Sequence, residues 1–252
     1  MTVPSDTRTL PGGGAMPLLG FGTWQLRGDA AHRATAEALA AGYRHVDTAT
    51  MYGNEREVGR AVREAGGAFV TTKLPPDHAG RERQTLEQSL ELLGLDAVDL
   101  WLVHWPPADP VAVWEAFLAA RADGLVRDVG VSNSTLAQVD ELERATGVLP
   151  AVNQVPWSPL RFDRGLLEGH RERGVVLEGY SGLKGGVLDR PAVREVAERL
   201  GRTPAQVVLR WHLEHGVVVI PKSATPERIR SNADLGFSLE PDDVARLDAL
   251  AA

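Results

Sequence analysis

Asp47, Lys73 and His104 are the residues from which a chemistry can be argued first. Each ends a short apolar run: YRHVDTA at 43–49, AFVTTK at 68–73 and VDLWLVH at 98–104. An aspartate, a lysine and a histidine gathered around a tyrosine suit proton transfer to a carbonyl oxygen. A free phenol has a pKa of about 10, too high for an efficient acid at neutral pH. A nearby ammonium favours the phenolate and lowers that value. Lys73 supplies such a charge if Asp47 keeps it protonated and fixed, and His104 can then donate a hydrogen bond to the oxygen. The group holds no hydride, so a nicotinamide cofactor is its natural complement.

Other chemistries find less support. The chain has no cysteine, which excludes disulfides, thiolate nucleophiles and Cys-ligated zinc or iron–sulfur sites. No Ser sits in a nucleophile elbow, and no GxGxxG follows an apolar run. HLEH at 212–215 places two histidines on one helix, and it is read as a partly exposed helix face rather than a metal site. A metal-dependent barrel hydrolase would need several His, Asp or Glu ligands at strand ends, where only Asp47 and His104 qualify. The net charge of −7 and the lack of a basic block argue against nucleic-acid binding. No apolar stretch approaches the ~20 residues of a membrane span. MTVPSDTRTL is not patterned as a secretory signal, so a cytoplasmic location is expected.

These residues must be positioned by repeated elements. Apolar runs at 18–24, 43–49, 68–73, 98–104, 127–133, 151–155, 175–181 and 217–223 read as eight strands. Most are rich in Val, Leu and Ile without strict alternation, as parallel strands covered on both faces are. Helical spacing fills about 29–41, 54–65, 80–93, 110–123, 134–146, 163–173 and 191–214. Gly201 and Pro204 divide the last of these, with Thr203 as the cap of its second half. Two more helices follow, near 225–235 and 241–250. Residues 1–9 read as a flexible tail, and Pro-Gly-Gly-Gly at 11–14 as a hairpin turn. The alternation predicts an α/β chain: one (β/α)8 TIM barrel over 1–252, with an N-terminal β-hairpin and a short C-terminal helix. An open doubly wound sheet is the alternative. A barrel demands functional residues at the carboxyl strand ends. Asp47, Lys73, His104, Ser132 with Asn133, Gln154, Tyr180 with Ser181, and Lys222 with Ser223 all fall there.

Along nearly its whole length the chain resembles the aldo-keto reductases. The resemblance is carried by MPLLGFGTW at 16–24, GYRHVDTATMYGNE at 42–55, TTKL at 71–74, LVHWP at 102–106, VGVSN at 129–133, NQV at 153–155 and IPKSATPERIRSN at 220–232, in the family's order. It implies NADPH-dependent reduction of aldehydes or ketones. Tyr52 would be the acid, assisted by Asp47, Lys73 and His104. It implies NADPH (NADP+) bound across the barrel mouth. Ser132, Asn133 and Gln154 would hold the carboxamide, with Tyr180 stacked on the nicotinamide and Thr23 near its ribose. Ser181 and Leu183 belong to the segment over the pyrophosphate. Lys222, Ser223, Thr225 and Arg228 would clamp the adenosine phosphate, and Asn232 would lie near the adenine. Two cations at that clamp favour the 2′-phosphate of NADPH over the bare ribose of NADH. The same barrel could instead serve as an NADPH-binding sensor or regulatory protein.

Three departures from the family pattern matter. YSGLKGG at 180–186 replaces the usual YSPLG and predicts a mobile flap. PWSPL at 156–160 stands where many members have a Glu-aromatic-His-Pro run, and Ser231 stands where many have a glutamate. The long loop after the fourth strand is missing, and one helix ends the 252 residues. The expected substrate pocket is therefore open, with Trp24, Trp105, Met51 and Trp157 as its walls. It should accept varied small-molecule carbonyl substrates and bind small ones weakly. His45 and Glu178, two residues below Asp47 and Tyr180, read as structural, and Glu178 needs a hydrogen-bonding partner. A monomer is expected.

Overall fold

The computed structural model describes residues 2–251. Met1, at the start of the expected tail, and Ala252, at the end of the expected domain, lie outside them. Strands β1 (Thr7–Thr9) and β2 (Ala15–Pro17) form an antiparallel hairpin. The alternating part runs β3 (Phe21–Gly22), α1 (Gly28–Ala40), β4 (His45–Asp47), α2 (Glu55–Glu64), β5 (Phe69–Leu74), α3 (Glu82–Leu93), β6 (Val98–Val103) and α4 (Pro110–Ala122). It continues β7 (Val126–Ser132), α5 (Leu136–Thr146), β8 (Val152–Pro156), α6 (Arg164–Arg173), β9 (Val176–Tyr180), α7 (Pro191–Leu200), α8 (Pro204–Glu214) and β10 (Val218–Val219). Helices α9 (Pro226–Ala233) and α10 (Pro241–Asp248) follow.

Strands β3 to β10 form one parallel sheet in chain order. A parallel bridge from Leu19 to Val219 joins its two edges, and the sheet is a closed (β/α)8 barrel. The first and last strands are shorter than the runs 18–24 and 217–223 suggest. Across this seam Gly20 N donates to Val219 O, and Gly22 N donates to Pro221 O. Pro221 has no N–H to return, so the ladder stops there.

Side-chain alternation divides the barrel. Leu100, Leu102, Phe69 and Val152 point inward and pack with Leu10, Met16 and Leu18 from the hairpin region. Val70, Trp101, Val103, Val129 and Val131 point outward against the helices, where Trp101 stacks on Phe117 with centroids 3.7 Å apart. The hairpin closes the barrel floor. Gly12 N donates to Asp128 Oδ1 at 2.7 Å, and a Cβ on Gly12 would lie 2.5 Å from Arg127 O, so only glycine fits. The expected tail is corrected in part: Thr7–Thr9 is strand, and Thr2 O accepts from Leu235 N at 3.0 Å. The caps follow the sequence. Thr203 forms a capping box with Gln206, with Pro204 first in α8, and Gly201 ends α7 at φ 60°.

Candidate active site

Inward alternation carries His45 and Asp47 on β4, Thr71 and Lys73 on β5, and Glu178 and Tyr180 on β9 up the barrel interior. At the carboxyl end lies a cavity of about 610 Å³, within the size range of ligand sites. Tyr52, His104, Ser132, Asn133, Gln154, Tyr180, Ser181, Leu183 and Lys222 line it, as do Trp24, Met51 and Trp105. Asp47 and Lys73 lie beneath it, buried.

Lys73 is the organising charge. Its Nζ donates to Asp47 Oδ1 at 2.6 Å and to Thr48 O at 2.7 Å. Burial works against the ammonium, but Asp47 and Tyr52 beside it hold its pKa above the ordinary lysine value. The same Nζ lies 5.1 Å from the centre of the Tyr52 ring. The phenol does not follow the sequence expectation. Burial pushes Tyr52 up, and Lys73, acting to lower it, does not prevail. Burial is the larger effect, and Asp47, in contact with Lys73, further offsets its field at the phenol.

His104 is neutral, because burial first and Lys73 second lower its pKa to about 3. Its Nδ1 is buried without a partner, so Nε2 is the nitrogen left for a ligand. The Tyr52 ring is 5.8 Å from His104 and 4.9 Å from Trp24, centre to centre. Asn54 fixes the loop that carries Tyr52: Nδ2 donates to Thr23 O at 3.0 Å and Leu26 O at 2.9 Å, and Oδ1 accepts from Thr48 Oγ1 at 2.7 Å. Glu55 is also buried, accepting from Thr72 Oγ1 at 2.6 Å.

The expected carboxamide residues form a connected set. Tyr180 OH donates to Asn133 Oδ1 at 2.7 Å, Asn133 Nδ2 donates to His104 O at 3.0 Å, and Ser132 Oγ donates to Gln154 O at 2.8 Å. Thr23 lies under the rim, its hydroxyl donating to Asp47 O at 2.9 Å. Ser223 Oγ accepts from Thr225 N at 3.0 Å ahead of α9. Arg228 is exposed in the first turn of α9, and Asn232 is buried further along it. Of these clamp residues, Lys222 reaches the cavity wall, and Thr225, Arg228 and Asn232 lie beyond it.

Trp157 is not a pocket wall. It is three residues after the inward-facing Gln154, so its ring faces outward, where it packs on Trp211 at 6.2 Å and Phe162 at 5.7 Å. The HLEH pair is partly exposed at His215 alone. His212 is fully buried with Nδ1 2.8 Å from Val208 O, and His215 Nε2 lies 2.8 Å from Asp248 Oδ1. Gly182 also has a reason: a Cβ there would meet His212 Cε1 at 2.9 Å. Among the polar residues that line the cavity, Lys184 and Gln25 escaped the sequence reading. Lys184 sat in the noticed YSGLKGG run, whereas Gln25, with φ 65°, gave no sequence signal. Among the described residues no group of three His, Asp or Glu could hold a metal, and no helix is long and apolar enough to cross a membrane.

The sequence matches the Aldo/keto reductase family model over residues 18–252. An aldo-keto reductase of Mycobacterium sp. (strain KMS) is 42% identical, with 94% of this chain and 90% of that protein aligned. The methylglyoxal reductase DkgA of Salmonella typhimurium is 42% identical over 95% of this chain and 92% of its own length. The crystal structure of an aldo/keto reductase from Brucella melitensis superimposes with a TM-score of 0.93 at 40% identity, covering 99% of this chain and 100% of that one. The chain belongs to the aldo-keto reductase family of carbonyl-reducing oxidoreductases.

Proposed function

We propose that the protein is an NADPH-dependent reductase of aldehydes or ketones with Tyr52 as its proton donor. The observation that carries this reading is the buried Asp47–Lys73 pair, 2.6 Å apart, held beneath Tyr52 at the floor of a cavity that His104 also lines. The cavity fits a nicotinamide dinucleotide by donor chemistry. One wall presents the hydroxyl and amides of Ser132, Asn133 and Gln154 beside the Tyr180 ring, and Lys222 stands on another. When bound, NADPH supplies the hydride. Ser132, Asn133 and Gln154 would hold its carboxamide, Tyr180 its ring, and Lys222 with Arg228 its phosphate.

The chain's own residues do the rest. His104, uncharged, directs a carbonyl oxygen through Nε2 toward the Tyr52 hydroxyl. Tyr52 gives that oxygen its proton. Lys73 stabilises the phenolate left behind, and Asp47 keeps Lys73 charged. Trp24, Met51 and Trp105, each more than two-fifths exposed, form an open rim, and residues 104–109 join β6 to α4 without a covering loop. Glyceraldehyde-sized aldehydes should therefore show Michaelis constants at or above the millimolar end of the usual range. Micromolar constants from initial-rate assays would contradict an open rim.

A screen of NADPH oxidation over aldehydes, α-dicarbonyls and ketones, with NADH in parallel, tests the function. The relationship to a methylglyoxal reductase makes α-dicarbonyls the first class to try. Arg228→Ala should raise the NADPH Michaelis constant roughly tenfold or more, as loss of one charge-assisted contact does, and leave that of NADH unchanged. Equal effects on both cofactors would remove Arg228 from the 2′-phosphate. NADPH binding without turnover of any carbonyl would favour a sensor.

A further inference from the structure

Beneath the cavity a fully buried carboxyl has no part in the mechanism above. Glu178 lies on β9, directly paired with Gln154 of β8. Gln154 Nε2 donates to Asp47 Oδ2 at 2.8 Å and to Glu178 Oε2 at 2.9 Å. We infer that Glu178 is a positioning residue for Gln154, holding its amide so that both N–H bonds face the barrel interior and Oε1 is presented to the cavity as an acceptor. The group it would accept from is the carboxamide NH2 of a nicotinamide. The inference rests on the NADPH reading of the cavity.

The geometry requires this orientation. An amide NH2 has two hydrogens, and two carboxyl oxygens within 2.9 Å of Nε2 engage both. A flipped amide would set Oε1 against the Asp47 carboxylate. With Asp47 alone, one N–H would be held and the amide could turn about that bond, moving Oε1 off the cavity wall. Glu178 removes this freedom.

Glu178 does so without adding a second buried negative charge. Burial, then the nearby Asp47, pushes its pKa up to about 8, so the carboxyl is uncharged near neutrality. Its Oε1 has no hydrogen-bond partner and lies 3.9 Å from His45 Nε2. His45 is itself uncharged, its pKa lowered to about 3 chiefly by burial, and its Nε2 is 3.0 Å from Thr71 Oγ1. A Cβ on Gly20 would lie 2.5 Å from His45 Nδ1, so glycine leaves room for that ring. The layer under Asp47 is thus closely packed and carries no net charge of its own.

Affinity for NADP+ and for its 3-acetylpyridine analogue, in which a methyl replaces the carboxamide NH2, tests the inference by quenching of tryptophan fluorescence. Wild type should bind NADP+ about tenfold more tightly than the analogue, as one well-placed hydrogen bond allows. Glu178→Leu should reduce that ratio to about twofold, and Glu178→Gln, which keeps an acceptor for Gln154, should restore it. An unchanged ratio in folded Glu178→Leu, or no preference in wild type, would overturn the inference and leave the NADPH reading intact. Failure of wild type to bind NADP+ would overturn the NADPH reading itself. Should Glu178→Leu not fold, solvent exchange of the Gln154 side-chain NH2 in the 15N-glutamine-labelled wild type decides. Both protons should be protected, and free exchange of either contradicts the assignment.

Discussion

Tyr52→Phe should lower kcat by about 10²- to 10⁴-fold, the range a positioned general acid contributes. NADPH affinity should stay within about twofold, since the substitution removes one hydroxyl and no cation. The ring that remains keeps its places 4.9 Å from Trp24 and 5.8 Å from His104, so the walls of the cavity persist. A loss confined to kcat, measured by steady-state oxidation and by cofactor titration, locates the defect in proton donation. The upward push of burial on this phenol sharpens the argument. Water would keep it protonated at any moderate pH, so Lys73 is needed at the moment the proton leaves rather than before. A variant within tenfold of wild type would mean that another group, or water, supplies the proton.

Lys73→Met is the second large expected effect, and it acts on stability as well as rate. Methionine keeps most of the length and removes the charge. Asp47 would then be a buried carboxylate with only Gln154 as a partner. Removing one member of a buried ion pair costs about 3–5 kcal/mol. In a chain of this size that is a fall in Tm on the order of 10 °C. Adding Asp47→Asn should recover much of the stability, because no unpaired charge remains, and none of the activity. Thermal melts of the two variants, with rates measured beside them, check both halves. If the double variant were as unstable as the single one, the buried charge would not be the cause.

What was legible in the sequence follows from where polarity interrupts apolar runs. Asp47, Lys73 and Tyr180 stand out because a parallel strand has no other use for them, and period-two alternation correctly sets His45 and Glu178 beneath. The loop after Tyr52 was legible too, since Asn54 and Glu55 open α2 and anchor it. What was not legible depends on contacts between distant segments. Trp157 is near the mouth in sequence, yet its outward direction turns it onto Trp211, 54 residues away in α8. His212 and His215 look like one helix face, yet His212 is buried with its Nε2 3.3 Å from Trp157 O, and α10 brings Asp248 to His215. The rise in Tyr52 comes first from burial and then from how far Asp47 offsets Lys73, and spacing carries no such information. Strand Thr7–Thr9 is exposed and polar, and only its pairing with Ala15–Pro17 reveals it.

The central claim is that a hydride reaches a carbonyl carbon above Tyr52 while Tyr52 protonates the oxygen. NADPH deuterated at C4 on the transferred face, incubated with the protein and an aldehyde it turns over, tests this most directly. Mass spectrometry of the product should find one deuterium on the carbinol carbon per cofactor oxidised, and Tyr52→Phe should slow its appearance without changing its position. Oxidation of the cofactor with no deuterium in the alcohol would contradict the account.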